Sequence, residues 1–234
     1  MKIEIWSDIM CPFCYIGKKH FEEAVEHLPF KNNINIIWKS FQLDPTLEQG
    51  NNTISATEYL MTRKGISKQY VEQMLSDISN RGAEVGIEFN QDISKVTNTF
   101  LAHRLIQFAQ SKGKANEIEE RLFKAHFTLG ENVGEINTLL NISEEIGLDR
   151  NEVEQVLNSN QYSNEVESDI IEAQKLGIRG VPFFVIDRKY GISGAQPVEL
   201  FKETLEKAYE EGSLKFEMQN TTNSNSCDAD GCEI

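Results

Sequence analysis

The sequence is short of cations, of cysteines, of long apolar runs and of internal repeats, and each shortage excludes something. Only 23 lysines and arginines stand against 37 aspartates and glutamates, a formal net charge of −14. Nucleic acid and anionic lipid both require a basic face, so neither is expected as a partner. Acidity of this kind serves solubility and weakens self-association. No apolar run approaches the roughly 20 residues that a membrane-crossing helix needs. Met1-Lys2-Ile3-Glu4 enters an alternating strand directly, with an acid where a secretory leader would place an apolar core. The expectation is a cytoplasmic protein without membrane contact. Four cysteines at positions 11, 14, 227 and 232 form two close pairs. In a reducing cytosol such pairs suggest catalysis, sensing or metal rather than structural staples. No fixed period links successive segments, which excludes a solenoid.

What is present has a clear order. At 234 residues and 39% hydrophobic content, the chain suits one large domain, or one domain with a substantial insertion. Ile3 to Ser7 alternates as a strand. A helix to about Leu28 follows, with Ile16, Phe21, Ala24 and Leu28 on one stripe. Ile34 to Phe41 is a second strand, ended by Asp44-Pro45, so the first 45 residues or so make a βαβ unit. From Asn51 to Gly177 the signals are almost all helical, including an N-cap at Asp149 and stops at Gly147 and Gly177. Strand signals return at Pro182-Phe183-Phe184-Val185-Ile186 and, after a tight turn, at Gly191-Ile192-Ser193, as an antiparallel hairpin. A closing helix opens at Pro197 and is expected to end at Gly212. The Asn-, Thr- and Ser-rich stretch from Asn220 has nothing to bury.

The chemistry concentrates in Cys11-Pro12-Phe13-Cys14, at the junction of the first strand and the first helix. A helix N-terminus presents unpaired N–H groups and a partial positive charge, which favour a thiolate at Cys11. Cys14, one turn on, is placed to attack a mixed disulfide formed at Cys11. Pro12 fits the first turn, where its missing N–H costs nothing. The competing readings of the pair are half a zinc site or an inert disulfide, but no second ligand pair follows at a zinc-like spacing. No metal is expected.

The split pattern is that of a thioredoxin fold interrupted by a helical block: α/β, with residues 1–48 and 178–214 forming the thioredoxin-like part, 49–177 an all-helical insertion, and 215–234 a flexible tail. A CxxC after the first strand, a large helical insert and Gly180-Val181-Pro182-Phe183-Phe184 before the hairpin resemble the DsbA-type branch of thioredoxin-like proteins. Ser7 to Gly17, Phe41 to Pro45, Asn98 to Leu105 and Ile192 to Gln196 are similar to its FrnE-like subgroup of cytosolic dithiol–disulfide oxidoreductases or isomerases. Phe13 stands where that subgroup more often has tryptophan. The resemblance implies a cis peptide at Val181-Pro182, facing the sulfurs and leaving the Val181 backbone free for an extended substrate. It also implies that His103, in the matched Asn98 motif, lines the cleft, although a lone helical histidine is more often structural. Pro12, Phe13, Val181, Pro182 and His103 are therefore the expected substrate-binding residues, with Cys11 and Cys14 catalytic.

The function expected is thiol–disulfide exchange on protein, peptide or small-molecule disulfides. It runs through an exposed sulfur at Cys11 and a mixed disulfide resolved by Cys14 or by a substrate thiol. No cofactor is required beyond the redox-active disulfide; glutathione is a conceivable thiol co-substrate, and a thiol reductant or oxidant must recycle the pair. The tail pair Cys227 and Cys232 resembles a C-terminal CX4C of some FrnE-like proteins. It could relay electrons to Cys11–Cys14, hold a soft metal with Asp228 and Asp230, or do neither. Two other classes compete. A kappa-type glutathione-dependent isomerase or transferase shares the split fold but typically has serine at the position of Cys11. A non-catalytic holdase would use the cleft to bind unfolded chains. His20, His27 and His126 are read as surface or packing residues without partners, Trp6 and Trp38 as core, Arg179 as a solvated loop cation, and Glu117 to Glu120 as a solvated helix face.

Overall fold

A computed structural model describes residues 1–50 and 53–221, with side chains as far as residue 212. In chain order the elements are β1 (Lys2–Ser7), α1 (Pro12–Glu26), β2 (Asn35–Ser40), β3 (Ile54–Ser55), α2 (Ala56–Lys64), α3 (Lys68–Glu84), β4 (Lys95–Val96), α4 (Phe100–Ser111), α5 (Ala115–Phe127), α6 (Ile136–Glu145), α7 (Arg150–Leu157), α8 (Ser163–Lys175), β5 (Phe183–Ile186), β6 (Tyr190–Ser193) and α9 (Val198–Thr221). The main sheet has the order β2-β1-β5-β6. β1 pairs parallel with β2, Ile3 opposite Ile36, and antiparallel with β5, Ile5 opposite Phe184. β5 and β6 form the antiparallel hairpin.

Alternation along β1 sends successive side chains to opposite faces of the sheet. Ile3 and Ile5 join Phe21, Phe184 and Phe201 in the large core shared with α1, α9 and the insertion. Trp6 faces the other way, into a smaller cluster with Ala173 and Ile178, and its indole N–H donates to the Asp169 carbonyl of α8 at 3.0 Å. The sheet is thus covered on both faces, and β1 is buried from Ile3 to Ser7. Glu4 lies on the same face as Trp6 and is buried with it. Its carboxylate is compensated by Arg188 and by Lys2 (3.1 Å). Burial alone would raise its pKa, but these two cations hold it below the ordinary range.

Four expectations need correction. The insertion is not wholly helical: β3 and β4 pair, Ile54 opposite Val96, because extended backbone on either side of α2–α3 closes that segment. The helix α2, overlooked in the sequence, starts on a Ser55 cap that accepts from Glu58 N–H at 3.1 Å and stops at Gly65, whose φ of 68° is left-handed. α1 ends at Glu26, short of Leu28, because the residue before Pro29 is driven out of helical geometry. α9 runs through Gly212 to Thr221, so residues 215–221 are helix rather than tail. Gly212 is flanked by Glu210, Glu211, Leu214 and Lys215, all good helix formers, and nothing there demands a left-handed stop. Cys227 and Cys232 lie outside the described residues.

Candidate active site

β1 delivers the chain to Ser7, and Asp8 builds the turn into α1. The Asp8 carbonyl accepts from Cys11 N–H at 2.9 Å, and its Oδ2 accepts from Leu43 N–H, beyond β2, at 2.7 Å. Cys11 is the N-cap of α1, Pro12 follows in the first turn, and Cys14 N–H donates to the Cys11 carbonyl at 3.0 Å. The two residues sit one turn apart as free thiols. Cys11 Sγ donates to the Val181 carbonyl at 3.4 Å, which joins the dithiol to the loop before β5. The Val181–Pro182 peptide bond is cis. Pro182 is buried against α1 at Gly17, where a Cβ would stand 2.9 Å from Pro182 Cγ. His20, expected to have no partner, holds the neighbouring loop between β6 and α9 from the next turn, its Nδ1 lying 2.8 Å from the Gln196 carbonyl.

A cavity of about 360 Å³ opens beside Cys11. Met10, Cys11, Pro12, Phe13, Gly180 and Val181 form one wall. Tyr59 and Leu60 of α2, Met74, Leu75 and Ile78 of α3, and His126 and Phe127 of α5 form the other. The insertion therefore completes the cleft over the dithiol. Phe13 packs with its ring 5.0 Å from the Arg81 guanidinium of α3, a cation–π contact between the two parts of the molecule.

The expected site residues separate into two groups. Cys11, Pro12, Phe13 and Val181 border the cleft. Pro182 lies behind Val181, away from the cavity wall. His103 does not line the cleft either: it is buried, with Nε2 3.4 Å from Asp8 Oδ1. Burial would lower its pKa, but the Asp8 carboxylate prevails and holds it above the usual value. Cys11 is not openly exposed. Its residue exposure is 5% and that of Cys14 is 2%, so the Cys11 sulfur is reached through the cleft. The Arg179 side chain stands in solvent.

Behind Cys14 lies a polar cluster that the sequence concealed. Ser7 Oγ donates to Glu119 Oε1 at 2.8 Å, and Glu119 Oε2 has no hydrogen-bond partner. Glu119 is 1% exposed, and burial pushes its carboxyl up to about 7, against the opposing pull of His103 and Ser7. Burial also drives the Cys14 thiol well upward, with the Cys11 sulfur adding to the effect, while the Asp8 backbone and the Ser7 hydroxyl pull it down. Glu117 to Glu120 is therefore not one solvated face. Four consecutive helical residues span most of a turn, so one must point inward. Its neighbour Glu120 is half-buried; desolvation would raise it, but Lys18, Lys19 and Tyr15 bring it to about 2. Of the two readings open for His126, surface or packing, the structure shows the second. It is 1% exposed, Nδ1 has no partner, and burial lowers its pKa to about 4. Nothing in the local sequence marks Ser7, Glu119 or His126, because their neighbours come from distant elements. Among the described residues no group of three or more His, Cys, Asp or Glu could hold a metal ion, and no helix is long and apolar enough to cross a membrane.

A thioredoxin-like sheet with a dithiol at the head of its first helix defines the thiol–disulfide class of protein. The sequence profile of the DSBA-like thioredoxin domain matches residues 2–206, and the chain belongs to that family. The Bacillus subtilis (strain 168) protein YwbO is 30% identical over 205 residues, 87% of this chain and 94% of that one. The crystal structure of a probable DsbA oxidoreductase from Streptomyces coelicolor is similar at a TM-score of 0.85 and 34% identity, with 90% of this chain and 91% of that chain covered. 2-Hydroxychromene-2-carboxylate isomerase is similar at a TM-score of 0.70 and 15% identity, covering 91% of this chain and 98% of that chain. The last likeness concerns the fold alone. Fold and family are those of DsbA-like thiol–disulfide oxidoreductases.

Proposed function

We propose that this protein is a cytoplasmic thiol–disulfide oxidoreductase or isomerase of the FrnE-like kind, working through Cys11 and Cys14. The observation that carries the reading is the seat of Cys11. It is the N-cap residue of α1, and its sulfur borders the cleft and donates to the Val181 carbonyl at 3.4 Å. In the reducing direction the Cys11 thiolate attacks a substrate disulfide. A bond forms between Cys11 Sγ and one substrate sulfur, and the other substrate sulfur leaves as a thiolate that takes a proton from water. Cys14 then attacks Cys11 Sγ, closing the Cys11–Cys14 disulfide and releasing the second substrate thiolate. Two electrons pass from the enzyme dithiol to the substrate, and a thiol reductant such as glutathione restores the pair. Oxidation of a substrate dithiol is the same sequence reversed.

The buried thiol of Cys14 must lose its proton before it attacks. Ser7 and Glu119 are placed to supply the route: the Ser7 hydroxyl pulls the Cys14 pKa down and donates to Glu119 Oε1 at 2.8 Å, so a proton leaving Cys14 can pass by way of Ser7 to Glu119. A carboxyl near 7 accepts and returns a proton readily at neutral pH.

Serine stands at the position of Cys11 in the glutathione-dependent isomerases that share this architecture; here both cysteines of the dithiol are present, which favours disulfide exchange. Insulin reduction tests the reading. Wild type is expected to turn over, Cys11→Ser to be inactive, and Cys14→Ser to trap a mixed disulfide visible by mass. Aggregation suppression retained by a cysteine-free variant, with no turnover in wild type, would identify a holdase instead.

A further inference from the structure

The cleft contains a group that disulfide exchange does not use. His126 forms part of its wall, is almost wholly buried, and leaves Nδ1 without a hydrogen-bond partner. Nδ1 itself has almost no accessible surface, so a group bound in the cavity meets the rest of the imidazole ring. The ring stays neutral at physiological pH. With no neighbour fixing the proton on Nδ1, either tautomer is open, and the ring can donate or accept.

We propose that this cavity is a binding pocket for a low-molecular-weight aromatic thiol or disulfide bearing one neutral hydrogen-bonding group, with His126 as the residue that recognises that group. The proposal rests on the exchange chemistry assigned to Cys11. Size supports it: about 360 Å³ is more than twice the roughly 150 Å³ that holds one benzene ring in an apolar cavity. The walls support it too, since Phe13, Leu75, Ile78 and Phe127 present apolar and aromatic surface to a ring. Sulfur placement agrees, because Cys11 lies in the same wall. Charge argues against a polyanionic ligand. Lys64 is the cationic side chain of the wall, and its field is engaged by Asp44, which it helps to hold ionised. The Tyr59 hydroxyl is also engaged, donating to Asp44 at 3.1 Å. His126 is thus left with Gln91 and Ser94 as the neutral polar lining.

The test compares bis(4-aminophenyl) disulfide with bis(2-hydroxyethyl) disulfide as substrates, each rate divided by its uncatalysed rate with dithiothreitol. The wild type is expected to favour the aromatic disulfide at least tenfold in normalised kcat/KM. His126→Leu and the cavity-filling Leu75→Trp are each expected to reduce that preference to threefold or less. His126→Gln, which keeps a neutral hydrogen-bonding group, should retain most of it. Thermal melts establish that each variant folds, and Leu75→Trp carries the test if His126→Leu does not. Equal normalised rates in wild type, or a preference untouched by the folded variants, overturns the proposal while leaving the exchange chemistry standing. Failure to turn over either disulfide overturns the exchange reading itself.

Discussion

Ser7 Oγ and Glu119 Oε1 are joined by a 2.8 Å hydrogen bond between residues 112 apart in sequence. It links the last residue of β1 to the insertion helix α5, directly behind Cys14. The insertion therefore does more than roof the cleft: it brings a titratable acid to the buried half of the dithiol.

Glu119→Gln is expected to slow turnover by about a hundredfold, the lower end of what a positioned proton acceptor contributes. The mixed disulfide on Cys11 should accumulate, which quenching and mass measurement will show. The same variant should alter stability with pH. The folded pKa of Glu119 is about 7 against an ordinary 4.5, so the folded state holds the proton more tightly. Its stability contribution is full below pH 4.5 and declines as pH rises to 7, by up to about 3 kcal/mol. Urea melts of Glu119→Gln should lack that decline and show greater stability than wild type at pH 8.

His126 works in the opposite sense. Its folded pKa of about 4 lies below the ordinary 6.5, because burial penalises the imidazolium. The contribution is full above pH 6.5 and is lost as pH falls towards 4, by up to roughly 3 kcal/mol. A folded His126→Gln variant should lose less stability between pH 6.5 and 4 than wild type, measured by the same melts.

Gly17→Ala should destabilise the protein by about 1–3 kcal/mol, the usual cost of overpacking. The new methyl would sit 2.9 Å from Pro182 Cγ and 3.4 Å from Ala195 Cα, so α1 or the loop must give way. Displacing that loop moves the Val181 carbonyl from Cys11 Sγ, so kcat/KM should fall together with the melting temperature. Unchanged turnover would show that the two are not coupled.

Arg188→Ala should cost about 1–3 kcal/mol, because the buried Glu4 carboxylate loses its partly exposed guanidinium partner and keeps only Lys2 at 3.1 Å. Arg188 also reaches Glu172 at 2.8 Å, and it is one of two consecutive residues, with Asp187, at positive φ. Arg188→Gly removes the backbone strain but leaves Glu4 with Lys2 alone, so it should remain destabilised. Combining Glu4→Gln with Arg188→Ala should recover much of the loss, a non-additivity that a double-mutant cycle will measure.

The legible parts of this molecule were those written in neighbouring residues. The dithiol with Pro12 at the head of α1, the Asp149 cap, the left-handed glycines at 147 and 177, and the turn between β5 and β6 all depend on contacts within a few positions. The misread parts were helix faces and burial. His103 carries a motif that suggested the cleft, yet Asp8 draws it beneath the site. Glu119 and Glu120 are adjacent acids, one brought to about 7 by burial and the other to about 2 by two lysines and a tyrosine.

By itself, then, the sequence determined a split βαβ–helical–ββα order and two thiols one turn apart at a helix N-terminus, because backbone geometry and spacing are local properties. The tertiary structure decided which side chains surround those thiols. A pKa, an orphaned imidazole nitrogen or a cavity wall depends on what distant segments place within a few ångströms, and only packing settles that.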